Sequence, residues 1–204
     1  MLPSSPNPSS PPPLHSMISA AYLTRSEAPI SQNNGNILHI PPPQYLLLGD
    51  SRVRFLSIPN CVTYSYSGAK ILDLLHYIPN TLQQHPSVHT VIINAGINDI
   101  RCKQSAKMRT DYEAIAVSIE DLGKNCIFSG LFPTLYHSSE SFSRLYSIDK
   151  WLCNFCQACG YGYIDLFDSF WKRTHLYRDK LHPNDEGLKT LASKISSHLT
   201  NIDI

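Results

Sequence analysis

Ser51, Gly68, Asn98, Asp179 and His182 are the residues whose types and spacing could carry chemistry. Ser51 stands in Leu47-Leu48-Gly49-Asp50-Ser51-Arg52, where an apolar run stops and a helical pattern can begin. A hydroxyl placed there lies near unpaired backbone N–H groups, which favour developing negative charge. Gly-Asp-Ser is also an ordinary turn and helix-cap sequence, so the tripeptide alone decides nothing. Asp179 precedes His182 by three residues, and Pro183 keeps the pair out of the helix that follows. A carboxylate at that spacing can reach the imidazole, fix its tautomer and leave the other ring nitrogen facing Ser51. The same stretch, with Asp185 and Glu186 behind it, reads as a helix N-terminus with an acidic first turn, and the two readings are compatible. In Ile93-Asn94-Ala95-Gly96-Ile97-Asn98-Asp99 the Asn98 amide can donate to an oxyanion or simply stabilise a turn. Gly68, in Tyr66-Ser67-Gly68, lets a backbone N–H approach a substrate, or is only a loop glycine.

Scattered over 130 residues, these groups meet only if the fold brings them to one edge. Tyr45 to Leu48, Cys61 to Tyr64, Val91 to Asn94, Cys126 to Leu131 and Tyr163 to Phe167 read as five strands. Ala69 to Gln84, Ala106 to Leu122, Ser143 to Ala158 and Glu186 to Leu199 carry apolar residues at helical spacing. Strands alternating with helices predict a three-layer α/β/α sandwich around a mostly parallel five-stranded sheet. In such sheets the ligand crevice lies at the carboxyl ends of the strands, where Ser51, Gly68 and Asn98 each follow a strand.

The chain of 204 residues suits one domain, expected over residues 44 to 204. Ten of the 15 prolines fall in the first 43 residues beside Ser and Asn, so residues 1 to 43 read as a flexible tail or linker. Met17 to Leu23 could form an apolar anchor within it. A net charge of +1 argues against nucleic-acid binding by bulk electrostatics. The start lacks the basic and apolar regions of a secretory signal, and no apolar run has membrane-spanning length. The expectation is a soluble, cytoplasmic protein with reduced thiols.

Serine, glycine, asparagine and an Asp-x-x-His pair at successive strand ends resemble the block pattern of the SGNH or GDSL-type hydrolases, from about Tyr45 to Leu199. The resemblance implies a flavodoxin-like fold and ester hydrolysis through an acyl-enzyme. It implies Ser51 as nucleophile, His182 as base and Asp179 as its orienting acid. The Ser51 N–H, the Gly68 N–H and the Asn98 side chain would be oxyanion donors, with no cofactor or metal. No Gly-x-Ser-x-Gly elbow is present, which disfavours an ordinary α/β-hydrolase. Leu48 to Arg54, Ile93 to Arg101 and Lys180 to Gly187 are also similar to the esterase domain in the first open-reading-frame protein of vertebrate, particularly fish, non-LTR LINE-type retrotransposons. That resemblance implies self-association through segments outside this chain. The absence of a large insertion over the site argues for an open pocket, and hence for short acyl chains or a lipid at an interface with at most peripheral membrane contact; a thioesterase or carbohydrate O-acetylesterase would use the same triad. An assembly module with a vestigial site is the rival reading.

Other residues invite weaker readings. Cys153, Cys156 and Cys159 have zinc half-site spacing, but a continuous helix would spread them, so core thiols are expected. His76, His85 and His89 sit in or beside the second expected helix, and His175 and His198 lack an acidic partner at the right spacing, so all five read as surface or packing residues. Arg52 and Arg54 read as solvated helix charges, the alternative being contacts to an anionic head group. Trp171 and Tyr177 either wall an acyl pocket or pack in the core.

Overall fold

The computed structural model describes residues 41–135 and 138–202 of the chain. Most of the expected tail, residues 1–40 with the Met17 to Leu23 anchor, therefore lies outside the described residues. Five strands form one sheet: β1 Tyr45–Gly49, β2 Cys61–Ser65, β3 Thr90–Asn94, β4 Asn125–Ser129 and β5 Gly162–Ile164. Their order is β2-β1-β3-β4-β5, and every neighbouring pair is parallel. The helices are α1 Ile71–Leu75, α2 Ile78–Gln84, α3 Ile97–Ile100, α4 Ser105–Asp121, α5 Ser139–Cys159, α6 Phe167–Phe170 and α7 Asp185–Ile202. Among the described residues, no helix is long and apolar enough to cross a membrane.

The central strands β1 and β3 bury both faces, which is why β1 reads as unbroken Leu46-Leu47-Leu48 rather than as an alternation. The strand period of two sends Leu46, Leu48, Val91, Ile93 and Phe128 to one core with residues of α1, α2, α4 and α5. Leu47, Ile92, Ile127 and Ile164 face the other way, against Phe170 of α6 and Leu191, Ile195 and Leu199 of α7. The result is the expected α/β/α sandwich.

The element boundaries depart from expectation where local chemistry intervenes. The single helix expected from Ala69 to Gln84 is two, broken around His76 and Tyr77. Pro79 lacks an N–H and its ring would strike the Leu75 carbonyl four residues back, so α1 ends there and the proline sits in the first turn of α2. The last strand stops at Ile164 because Asp165 turns the chain, its carboxylate accepting the Phe167 N–H at 3.0 Å, and α6 begins. Helix α5 is longer than expected, held by the Ser138 cap at one end and left-handed Gly160 at the other. Along α5, Cys156 is buried, Cys153 half-buried and Cys159 exposed, so Cys159 is not the core thiol expected. Each three-residue step falls short of a full helical turn, which walks the last cysteine onto the surface. Among the described residues no three metal-ligating side chains come together.

Candidate active site

The carboxyl ends of β1, β2 and β3 carry the Ser51, Gly68 and Asn98 segments to one edge. There is no room for a side chain at Gly49: a Cβ would come within 2.7 Å of the Asn94 carbonyl and of Val53. After it the chain turns through a short 3-10 segment, Ser51–Val53, rather than the longer helix the sequence pattern allowed. Asp50 caps this turn, its Oδ1 accepting the Arg52 N–H at 2.9 Å, and its own N–H donates to the Asn94 carbonyl at 3.2 Å. Ser65 of β2 donates its hydroxyl to the Asp50 carbonyl at 2.8 Å. Ser51 is thus held between residues fixed to both neighbouring strands.

At the far end of the chain, Asp179 and His182 lie in the loop before α7. Asn184 caps that helix, accepting the Gly187 N–H at 3.0 Å, which sets where the loop stops. Asp179 Oδ1 accepts the N–H groups of Leu181 and His182, both at 2.7 Å, and its Oδ2 lies 2.8 Å from His182 Nδ1. The other ring nitrogen, Nε2, lies 3.0 Å from Ser51 Oγ. Partial desolvation would raise the Asp179 carboxyl, but the backbone donors and the imidazole outweigh it and bring it to about 2. It is a carboxylate at neutral pH, so Nδ1 carries the proton towards it and Nε2 presents a lone pair to Ser51. The Tyr177–Pro183 bridge and the Arg178 N–H to His182 carbonyl bond, 3.1 Å, pin the loop to itself.

Asn98, in the first turn of α3, donates Nδ2–H to the Ala69 carbonyl at 2.9 Å. One of its two amide hydrogens thus ties α3 to the Gly68 loop. Gly68 itself is exposed with φ +75. Trp171 and Tyr177 line a cleft of about 180 Å³ with Pro133, Thr134, Leu135, Phe170 and Lys172, beside the His182 loop. Tyr177 is also packed in the core and donates its hydroxyl to the Pro133 carbonyl.

Two residues contradict or escape the sequence reading. Arg52 is 2% exposed, not a solvated helix charge. Its Nε donates to both Asp50 carboxylate oxygens, at 3.1 and 3.3 Å, and its guanidinium lies 4.3 Å from the Phe132 ring centre. The partners that draw it inward are the residue two before it and one eighty residues later, and only the first is visible locally. Asp99, which the sequence places only in a turn, is buried, and its Oδ2 accepts the Ile71 N–H at 3.2 Å, at the start of α1.

Burial pushes the Asp99 carboxyl up to about 6, against the lowering effect of the Ile71 N–H, and the Asp111 charge adds to the rise. Between the ordinary value of 3.8 and about 6 the folded chain keeps a proton that the unfolded chain has released. Stability therefore falls as pH rises through that window and is level above it, by on the order of 3 kcal/mol for a shift of this size. Asp99→Asn keeps an acceptor for Ile71 and removes the titration. Urea midpoints measured from pH 4 to 7 are expected to fall less steeply for Asp99→Asn than for wild type, and parallel curves would refute the assignment.

A profile of the GDSL-like lipase/acylhydrolase family matches residues 48–189. Two N-acylneuraminate cytidylyltransferases from strains of Streptococcus agalactiae are each 23% identical over 154 residues, 73% of this chain. The matched part is only 37% of the length of those curated relatives. Among solved structures, a GDSL-like lipase from Bacteroides thetaiotaomicron superposes with a TM-score of 0.66 at 14% identity, covering 78% of this chain and 88% of that one. A psychrotrophic esterase from a Pseudoalteromonas species gives 0.62 at 15% identity, covering 78% and 97%. The esterase domain of the ORF1 protein from the zebrafish ZfL2-1 retrotransposon is 29% identical, covering 76% and 98%, with a TM-score of 0.46. Because the family profile runs from the end of β1 into α7 and so takes in every strand end described above, the chain belongs to the GDSL-like lipase/acylhydrolase family.

Proposed function

We propose that the chain is a serine esterase that cleaves carboxylic esters by acyl transfer. The observation that carries this reading is the continuous run from Asp179 Oδ2 through the His182 ring to Ser51 Oγ, with links of 2.8 and 3.0 Å. His182 Nε2 takes the Ser51 proton as Oγ bonds to the ester carbonyl carbon. The carbonyl oxygen becomes an oxyanion, received by the Ser51 N–H, the Gly68 N–H and the second Asn98 hydrogen. Its collapse breaks the bond to the alcohol, which leaves with the proton from His182. Water then repeats the sequence, releasing the acid and restoring Ser51. Asp179 stays ionised throughout, holding the tautomer and balancing the imidazolium.

The ester proposed as substrate carries a short acyl group such as acetyl, or is a lipid ester. The motif text at Leu48 to Arg54 and Lys180 to Gly187 supports a place in a retrotransposon-encoded first open-reading-frame protein. The test is a fluorophosphonate probe, expected to label wild type and not Ser51→Ala. Absence of labelling in folded wild type would turn the reading to an assembly module. Asn98→Ala, which removes one oxyanion donor, is expected to lower turnover by about 10²–10³. Since it also frees the Ala69 carbonyl, its melting temperature must be read alongside p-nitrophenyl acetate kinetics.

A further inference from the structure

We infer that Arg52 is a positioning residue that registers the nucleophile's turn against the loop carrying its base. The inference rests on the reading of Ser51 and His182 given above. Both sides of the Arg52 guanidinium are occupied by groups belonging to different halves of the site. On one side stands Asp50, itself fully buried and adjacent to Ser51 in the chain. On the other stands Phe132, just past β4, whose ring lies 4.3 Å away. Phe132 stacks on Phe170 of α6 with ring centres 4.4 Å apart, and Phe170 meets Tyr177 edge-on at 5.9 Å. Tyr177 opens the loop that holds Asp179 and His182, bridging Pro183 through its backbone and Pro133 through its hydroxyl. Leu135 closes the circuit by donating its N–H to the Lys180 carbonyl at 2.9 Å.

Every ring in this path is buried, and close-packed interiors transmit displacement rather than absorb it. A shift of the guanidinium thus moves Ser51 relative to His182 along a contiguous stack. An apolar side chain at position 52 could fill the space, but it could not hold the Asp50 carboxylate that caps the Ser51 turn. Lysine could neutralise that carboxylate, yet it lacks the planar face that lies on Phe132 and the separate Nε and Nη1 donors that reach the Asp50 carboxylate and the Phe132 carbonyl. Misplacement of reacting groups by about 1 Å is worth up to about 10² in rate.

The test compares Arg52→Lys and Phe132→Leu with wild type in the full chain. Thermal melts establish folding; p-nitrophenyl acetate gives kcat and KM; the fluorophosphonate probe gives the labelling rate of Ser51. Arg52→Lys is expected to lose about 10- to 100-fold in kcat, with KM within about twofold of wild type and the labelling rate falling in step. Phe132→Leu keeps the ion pair but removes the ring, and the same split between kcat and KM is expected, so it decides the matter where Arg52→Lys does not fold. A folded Arg52→Lys with wild-type kcat, or activity lost only in proportion to unfolded protein, overturns the inference. Wild type that fails to label overturns the esterase reading itself, whereas labelled wild type with unaffected variants overturns only the role of Arg52.

Discussion

Ser51→Ala is expected to lower ester turnover by about 10⁶, the scale on which serine hydrolases with this arrangement lose rate when the nucleophile is removed. The folded structure gives little reason for stability to change. Ser51 is only partly buried, its Oγ meets His182 Nε2, and that nitrogen belongs to a side chain 23% exposed and able to take a water partner. The backbone that fixes the turn is held by Asp50, Asn94 and Ser65, none of which touches Oγ in doing so. The two measurements are therefore p-nitrophenyl acetate hydrolysis and the thermal midpoint of the same preparation. Retained turnover with the midpoint unchanged would remove Ser51 from the mechanism.

Gly96→Ala is expected to produce the largest loss of stability of any single methyl added to this edge. Gly96 has φ +127, a conformation essentially confined to glycine, and a side chain forced into such a region costs about 1–3 kcal/mol. The new methyl would also come within 2.9 Å of three buried atoms: the Tyr112 hydroxyl, Leu131 Cδ2 and Met108 Cε. Overpacking of that kind adds about 1–3 kcal/mol. The Tyr112 hydroxyl cannot simply swing aside, because it donates to the Ala95 carbonyl at 2.8 Å. Together these amount to about 2–6 kcal/mol, a fall of roughly 10 °C in melting temperature for a domain of this size. Since Gly96 immediately precedes α3, whatever protein folds should also place Asn98 poorly. A melting temperature within about 2 °C of wild type would show that the loop adapts at little cost.

The features legible in the sequence are those set by nearby residues. Leu46-Leu47-Leu48 declared a strand buried on both faces, and the succession of runs declared a parallel sheet. Asp179 and His182 are three residues apart with Pro183 behind them, so their pairing needed no knowledge of the rest of the chain. What was hidden depends on distant partners or on competing steric rules. The burial of Arg52 needs Phe132, which no local pattern associates with it. Asp99 looked like one more turn carboxylate until α1 brought the Ile71 N–H to it from 28 residues away. Asn98 was correctly placed at a strand end, but its bond to the Ala69 carbonyl arises only when the loops after β2 and β3 meet. The break between α1 and α2 was legible in principle, because Pro79 and the Leu75 carbonyl are four residues apart; apolar periodicity simply obscured it.

The short link between Ser51 and His182 joins residues 131 positions apart, the first at the end of the opening strand and the second at the threshold of the final helix. Opening of a single helix can need less free energy than global unfolding, and for α7 that cost is set by the buried Leu191, Ile195 and Leu199. If α7 peels away while the sheet persists, the hydroxyl would lose the base proposed for it and the proposed hydrolysis would stop, although most of the circular dichroism signal remains. On the proposed mechanism, an ester assay would thus gauge whether α7 is docked on the sheet. It should fall silent at gentler denaturant concentrations than those that melt the core.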